Sequence, residues 1–309
     1  MSQATESMLL LPEPVRRRLD PLMLHAAKIR SGAMKGERRS IKRGTSIEFA
    51  DYRNYVPGDD LRKLDWNVYA RLERPYIKLL EDEEDLAVHL LLDCSGSMDW
   101  QVHNDNPDSD EDTHDKFLFA RRLFAGLAYI ALKSGDRLMM SALRGTDFEQ
   151  FGPARGRGHT VSMLRYAHKL QADGVTDLNQ GLRNYALREK RPGLTVIITD
   201  LFSPTGFLDG LNILLGKGHE VLIVHVLSPD EVTPPHAGDL RLVDVETGQA
   251  QEVTIDAGMR AIYQQRLSGW LDEVRNICAG RGVHYVMTQT DTPFERVLLH
   301  DLRRLSIIR

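Results

Sequence analysis

Asp93, Ser95 and Ser97 alternate through "HLLLDCSGSMDW" (residues 89–100), where an apolar run breaks into one acid and two hydroxyls on a glycine-bearing turn. Three chemistries want such residues at such spacing: a nucleophilic aspartate, a nucleophilic serine, or a hard metal ion bound through oxygen. A phosphatase-type aspartate needs a second acid two residues on, and position 95 is a serine. A serine hydrolase needs G-x-S-x-G and a histidine to activate the hydroxyl; His89 falls inside the apolar run and reads as a core residue. The chain has no G-x-x-x-x-G-K-[ST], so a phosphate-cradling loop of that type is excluded. Farther along, "GVTDL" offers Thr176 and "LTVIITDL" ends its apolar run in Asp200. Two carboxylates and three hydroxyls from separate loops form an oxygen-only donor set, as Mg²⁺ or Mn²⁺ prefers. Metal coordination uses every one of these residues; the other chemistries leave several idle.

The elements that must position them alternate along the chain. "LTVIITDL" and "EVLIVHVLSP" are continuous apolar runs of the kind buried on both faces of a parallel sheet. "KFLFARRLFAGLAYIALKSGD" puts Phe117, Ala120, Phe124, Leu127, Ala128 and Ala131 on one helical face and stops at Ser134-Gly135. "RLMMSALRG" predicts a strand and "DFEQFGPARGRG" a hairpin return; "HTVSMLRYAHKLQ" and "DLNQGLRNYALREK" predict helices, the second capped by Asp177. "PTGFLDGLNILLGKGH" predicts a further helix, and "LRLVDVETGQAQEVTI" a hairpin turning at Thr247-Gly248. A long helix, a last strand "VHYVMTQT" and a closing helix "PFERVLLHDLRRL" complete the series. Such alternation predicts a doubly wound α/β fold with a six-stranded, mainly parallel sheet, its function at the carboxyl ends of the strands. Asp93 and Asp200 lie at two such ends.

Ahead of this, "DPLMLHAAKIR" predicts a helix with Asp20 as cap and Pro21 at its first position. Residues 32–71 show no sustained helical period, predicting an extended segment with a turn at Val56–Asp59. Its Phe49, Tyr52, Tyr55 and Trp66 are too apolar for a linker, so it is expected to pack on the α/β domain. The division expected is residues 1–80 as an N-terminal segment and 81–309 as the α/β domain. Residues 99–115 concentrate Asp99, Asp105, Asp108, Asp110, Glu111, Asp112 and Asp115 with His103 and His114. The spacing is not that of an EF-hand and no closing glutamate follows, so a solvated surface loop is expected in place of a calcium loop.

Bulk properties narrow the class. The net charge of −4 divides into +6 over residues 1–80 and −10 over 81–309. "ERRSIKRG" is the densest basic run but lacks aromatic interleaving and is followed by acids, so nucleic-acid binding is not expected. No apolar run reaches the roughly 20 residues that span a bilayer, and no secretory leader pattern opens the chain. Two cysteines, Cys94 and Cys278, cannot build a disulfide framework or a structural zinc site. A cytoplasmic protein without a membrane span is expected.

The set Asp93, Ser95, Ser97, Thr176 and Asp200 resembles a complete metal-ion-dependent adhesion site of the von Willebrand factor A fold, over roughly residues 81–309. Upstream, "RGTSIEFADYRNYVPGDDLRKLDWNVYAR" is similar to the signature of a bacterial von Willebrand factor A-like family, domain of unknown function family fifty-eight. The matching residues include Asp51, Tyr52, Arg53, Tyr55, Pro57, Gly58, Asp59, Asp60, Asp65 and Trp66. The resemblance implies that Ser95 and Ser97 ligate Mg²⁺ (or Mn²⁺ or Ca²⁺) directly, Thr176 directly or through water, and Asp93 and Asp200 largely through water. It further implies a non-enzymatic adaptor whose metal is completed by an acidic side chain of a partner, with a MoxR-type AAA+ ATPase and client proteins as partners. The alternative is a metal-dependent phosphoester hydrolase using the same acids.

Overall fold

The computed structural model describes residues 10–27, 48–56, 64–81, 86–100, 115–234, 238–243 and 250–309. Most of the acidic loop, the Pro57-Gly58 turn, the Thr247-Gly248 turn and the "ERRSIKRG" run lie outside these. By compactness the chain forms two units, one of residues 1–34 with 86–309 and one of residues 35–85. Residues 10–27 are grouped with the large unit, whereas a cut at residue 80 assigns them to the N-terminal segment.

In the small unit, β1 (Glu48–Asn54) pairs antiparallel with β2 (Tyr76–Glu81). Between them, a stretch whose pattern predicts extended chain holds a helix, α2 (Trp66–Leu72). Local chemistry overrides the missing period here. Asp65 is the N-cap, its Oδ1 accepting from the N–H groups of Asn67 at 2.9 Å and Val68 at 3.1 Å. Trp66 and Tyr69, one turn apart, meet edge to face at 6.1 Å.

The large unit is built on six strands in the order β10-β7-β6-β3-β4-β5. These are β3 (Ala87–Asp93), β4 (Arg137–Arg144), β5 (Asp147–Ala154), β6 (Leu194–Thr199), β7 (Glu220–Leu227) and β10 (His284–Gln289). All neighbours pair parallel except β5, which returns antiparallel on β4 at the edge. The chain builds rightward from β3 to β4 and β5, then returns to place β6, β7 and β10 on the other side of β3. Right-handed crossovers that grow in opposite directions must use opposite faces. One face therefore carries α3 (Lys116–Ser134), α4 (Thr160–Lys169) and the 294–304 segment, against Val88, Leu90 and Leu92. The other carries α5 (Leu178–Arg188), α6 (Leu208–Gly216) and α8 (Ala257–Gly280), against Leu91, Ile197 and Ile223. Alternate residues of one strand thus feed two cores, which is why β3 is buried at every position and shows no polar alternation. The hairpin of β8 (Gly238–Val243) and β9 (Ala250–Ile255) stands outside this sheet.

The N-terminal helix is not where its sequence suggests. It is α1 (Glu13–Leu19), with Pro14 in its first turn, and Asp20 ends it where the pattern predicts a start. Beyond it Leu22, Leu24 and Ala26 are buried at alternate positions. Met23 and Arg309 exchange backbone hydrogen bonds at 3.0 and 2.9 Å, and Leu24 bridges Ile308. The chain end, remote in sequence, supplies a strand-like partner that the local pattern cannot announce.

Two histidines give the second core a built-in acid sensitivity. His89 lies against the Tyr185 hydroxyl at 2.7 Å and 5.0 Å from the ring of His219, whose Nδ1 lies 2.7 Å from the Thr195 hydroxyl. Burial first, then the neighbouring histidine, holds His89 down at about 3; burial holds His219 at about 4, both against an ordinary 6.5. Below pH 6.5 the unfolded chain takes up protons that the folded chain refuses, so stability falls as pH drops from there toward 4. At pH 5 the loss is about 2 kcal/mol per histidine. Urea midpoints at pH 7.5 and pH 5 should differ strongly for the native chain and much less for His89→Asn/His219→Asn; equal slopes for the two proteins would refute this origin.

Candidate metal centre

β3 delivers Asp93 to the switch point, beside the end of β6, where the strand order reverses. Asp93 is 2% exposed and both its oxygens are occupied. Oδ1 accepts from the Ser95 N–H at 3.0 Å and Oδ2 from the Thr199 hydroxyl at 2.7 Å. Burial, then the charge of Asp200, pushes its carboxyl upward. Cys94, between the motif residues, is a fully buried thiol pushed up by burial to about 12, hence unreactive packing. A single 3₁₀ turn over Gly96–Met98 brings the Ser95 and Ser97 hydroxyls 3.0 Å apart.

Thr176 arrives on the loop before α5. That loop is sewn to the motif turn by Asp173 N–H to Cys94 O at 2.9 Å and Gly96 N–H to Gly174 O at 2.7 Å. Asp177, donating its N–H to Gly145 O at 2.8 Å, then caps α5 by accepting from Gln180 N–H at 2.8 Å. Thr176 itself is 2% exposed, and its hydroxyl oxygen has no hydrogen-bond partner. Ser134, Ser141 and Thr290 also bury a hydroxyl without a partner, but that of Thr176 sits on the loop bonded to the motif turn, where a ligand, ion or water can satisfy it.

Asp200 follows β6. Leu201 immediately after it takes a left-handed backbone (φ 60°), a conformation costing a branched residue about 1 kcal/mol or more. The turn lets Asp200 Oδ1 accept from Phe202 N–H at 3.0 Å. From β7, His225 Nε2 lies 2.9 Å from the Asp200 carbonyl oxygen, which can only accept, so Nε2 carries the proton. Its Nδ1 then accepts from the Tyr285 hydroxyl at 2.8 Å. The ring is held neutral by burial, its pKa down at about 4.

Two further residues escape a sequence reading. Lys116, first residue of α3 after the cap Asp115, has no exposed surface. Its ammonium donates to Asp200 Oδ2 at 2.8 Å, Glu231 Oε1 at 2.7 Å and Ser97 O at 3.1 Å, using all three protons. Glu231 comes from α7 (Pro229–Val232), where Ser228 and Glu231 form a reciprocal capping box. Burial pushes the Glu231 carboxyl upward while Lys116 pulls it down. The S-x-x-E string at 228–231 after a strand is a legible helix start, but nothing in it points back over a hundred residues to Lys116.

The structure thus brings Asp93, Ser95, Ser97 and Asp200 into one hydrogen-bonded cluster and ties the loop of Thr176 to it. Among the described residues no group of three or more His, Cys, Asp or Glu is placed to hold a metal ion. Any cation here would rest on hydroxyls, and three such oxygens, one unpartnered, suit a hard ion.

The family model described as "Protein of unknown function DUF58" matches residues 51–269. The chain belongs to that family. Relatives of this chain include uncharacterized proteins of Mycobacterium tuberculosis (Rv1480) and Mycobacterium bovis (Mb1516). Each is 28% identical over 263 residues, 84% of this chain and 80% of theirs. The uncharacterized protein MAV169 of Mycobacterium avium is 34% identical over 103 residues, 33% of this chain and 60% of its own. Among solved structures, the conserved hypothetical protein BatB from Bacteroides thetaiotaomicron overlays with a TM-score of 0.40. It is 14% identical and covers 72% of this chain and 98% of its own. An aerotolerance-related membrane protein from Bacteroides fragilis gives 0.40 at 15% identity over 71% and 99%. Likeness at that level says nothing about function. Among the described residues no helix is long and apolar enough to cross a membrane.

Thr199 carries a testable share of the cluster, because its hydroxyl donates to Asp93 and accepts from Leu201 N–H at 3.0 Å. Thr199→Val should cost about 2–3 kcal/mol in urea unfolding, since it strands a buried carboxylate oxygen and a backbone donor. A loss under about 0.5 kcal/mol would mean that water replaces the hydroxyl and the cluster is not sealed.

Proposed function

We propose that this protein is a non-enzymatic adaptor that docks a partner protein through a divalent cation, in an adhesion site of the von Willebrand factor A type. Ser95, Ser97 and Thr176 would hold the ion, with Asp93 and Asp200 acting through water. Bound there, Mg²⁺ would supply a coordination position for a partner's Asp or Glu. The observation that carries this reading is the buried, unpartnered Thr176 hydroxyl on a loop bonded to the turn of the Ser95–Ser97 pair.

Two features support docking. Every carboxylate oxygen of Asp93 and Asp200 accepts an internal hydrogen bond and keeps a second lone pair, so both acids are held in place and can still accept from metal-bound water. Around the cluster, Trp100 (38% exposed), Val175 (46%) and Phe202 (39%) present apolar surface of the kind buried between proteins. The Trp100 carbonyl accepts from Lys116 N–H, Val175 adjoins Thr176, and the Phe202 ring lies 5.2 Å from the Lys116 ammonium, so all three belong to this rim. The partner proposed is a MoxR-type AAA+ ATPase serving protein assembly or maturation, on the strength of the family signature, with client proteins as further partners.

Association with the cognate ATPase should weaken at least tenfold in chelator and in Ser95→Ala/Ser97→Ala, and Mg²⁺ should restore only the native protein. Affinity unchanged by chelator, with both proteins folded, would defeat the metal bridge. Phosphoester turnover abolished by Asp93→Asn would replace docking with hydrolysis.

A further inference from the structure

The cluster already contains a cation. A lysine without exposed surface loses its hydration, a cost several partners must offset, and Lys116 meets it with two carboxylates and a carbonyl. Asp93, Asp200 and Glu231 against Lys116 leave two net negative charges, the amount one divalent ion neutralises. Lys116 spends part of its contact on Asp200, the same acid the docking reading assigns to the ion. Glu231 offers it an alternative. That carboxylate is fixed by the Ser228 N–H on Oε2 at 2.6 Å, and the Tyr263 hydroxyl donates to its backbone oxygen.

Resting on the metal reading above, we propose that Lys116 and Glu231 regulate the site's hold on a divalent cation. The lysine ammonium competes with the ion for Asp200 and keeps affinity low. Glu231 draws the ammonium away from Asp200 and so makes room for the ion's charge. The pair explains why α3 opens with a buried lysine where an apolar residue would pack without any desolvation cost.

The test uses Mn²⁺ as probe, with free ion read by electron paramagnetic resonance, on the full chain and four variants. Lys116→Met removes one positive charge at similar volume and should tighten Mn²⁺ by tenfold or more, on the order expected for a unit charge a few ångströms away. Glu231→Gln keeps a capping-box side chain but leaves the ammonium wholly to Asp200, and should weaken Mn²⁺ by a similar factor. Lys116→Met/Glu231→Gln restores the native net charge and should bind within a few-fold of the native protein. Unchanged or weaker binding in folded Lys116→Met overturns the proposal. If that variant does not fold, Glu231→Gln decides: affinity equal to native overturns the proposal, and weakened affinity upholds it. Ser95→Ala/Ser97→Ala separates the two readings. If it abolishes native Mn²⁺ binding while the lysine and glutamate variants change nothing, the metal site stands and the regulation falls. If no protein binds Mn²⁺ at millimolar concentration, both fall; binding only in Lys116→Met upholds the regulation.

Discussion

Carboxylates at the ends of two adjacent strands, each about 1–2% exposed, are the constraint around which the large unit is arranged. A buried charge without partners costs far more than a domain's margin of stability, so every oxygen of Asp93 and Asp200 must be met by a protein donor. The structure meets it with the Ser95 and Phe202 N–H groups, the Thr199 hydroxyl and the Lys116 ammonium. Each donor in turn fixes a turn: the motif loop, the left-handed Leu201, the first residue of α3. Remove the acids and three loops lose the reason for their shapes.

The sheet around this centre is stiff where it must be. β3 and β6 are buried along their whole length, and their order reversal opens a crevice that backbone pairing cannot fill. His225, stacked edge-on to Trp270 at 5.1 Å, braces the Asp200 backbone from below, and Trp270 stacks on Phe202 at 5.5 Å. The polar centre is therefore carried on aromatic packing. Among the hydroxyls of Ser95, Ser97 and Thr176, that of Thr176 is left without a partner, and the docking proposal rests on it.

Much of the architecture is legible in the sequence. Continuous apolar runs such as 194–199 and 220–227 could only be strands covered on both faces, and Gly135, at φ 81°, ends α3 where the Ser134-Gly135 stop signal stands. Asp177 caps α5 as its position suggests. Reading failed where the deciding partner was distant or strictly local. The segment from Asp20 to Arg30 looks helical by spacing, yet within its described part Met23, Leu24 and His25 pair with Ile307–Arg309. The helix α2 lacks a helical period, yet forms because Asp65 satisfies two of its first N–H groups.

The candidate site divides along the same line. By itself the sequence determined the α/β class, the strand ends at Asp93 and Asp200, and the turns that carry the Ser95, Ser97 and Thr176 hydroxyls, because periodicity and turn chemistry are local and written in neighbouring residues. Only the tertiary structure decided which oxygens are already spent, that Thr176 is the unsatisfied one, and that a lysine 84 residues from Asp200 and 115 from Glu231 supplies the internal countercharge. Charge pairing acts through space at about 3 Å and is indifferent to chain separation, so no spacing rule along the sequence could have revealed it.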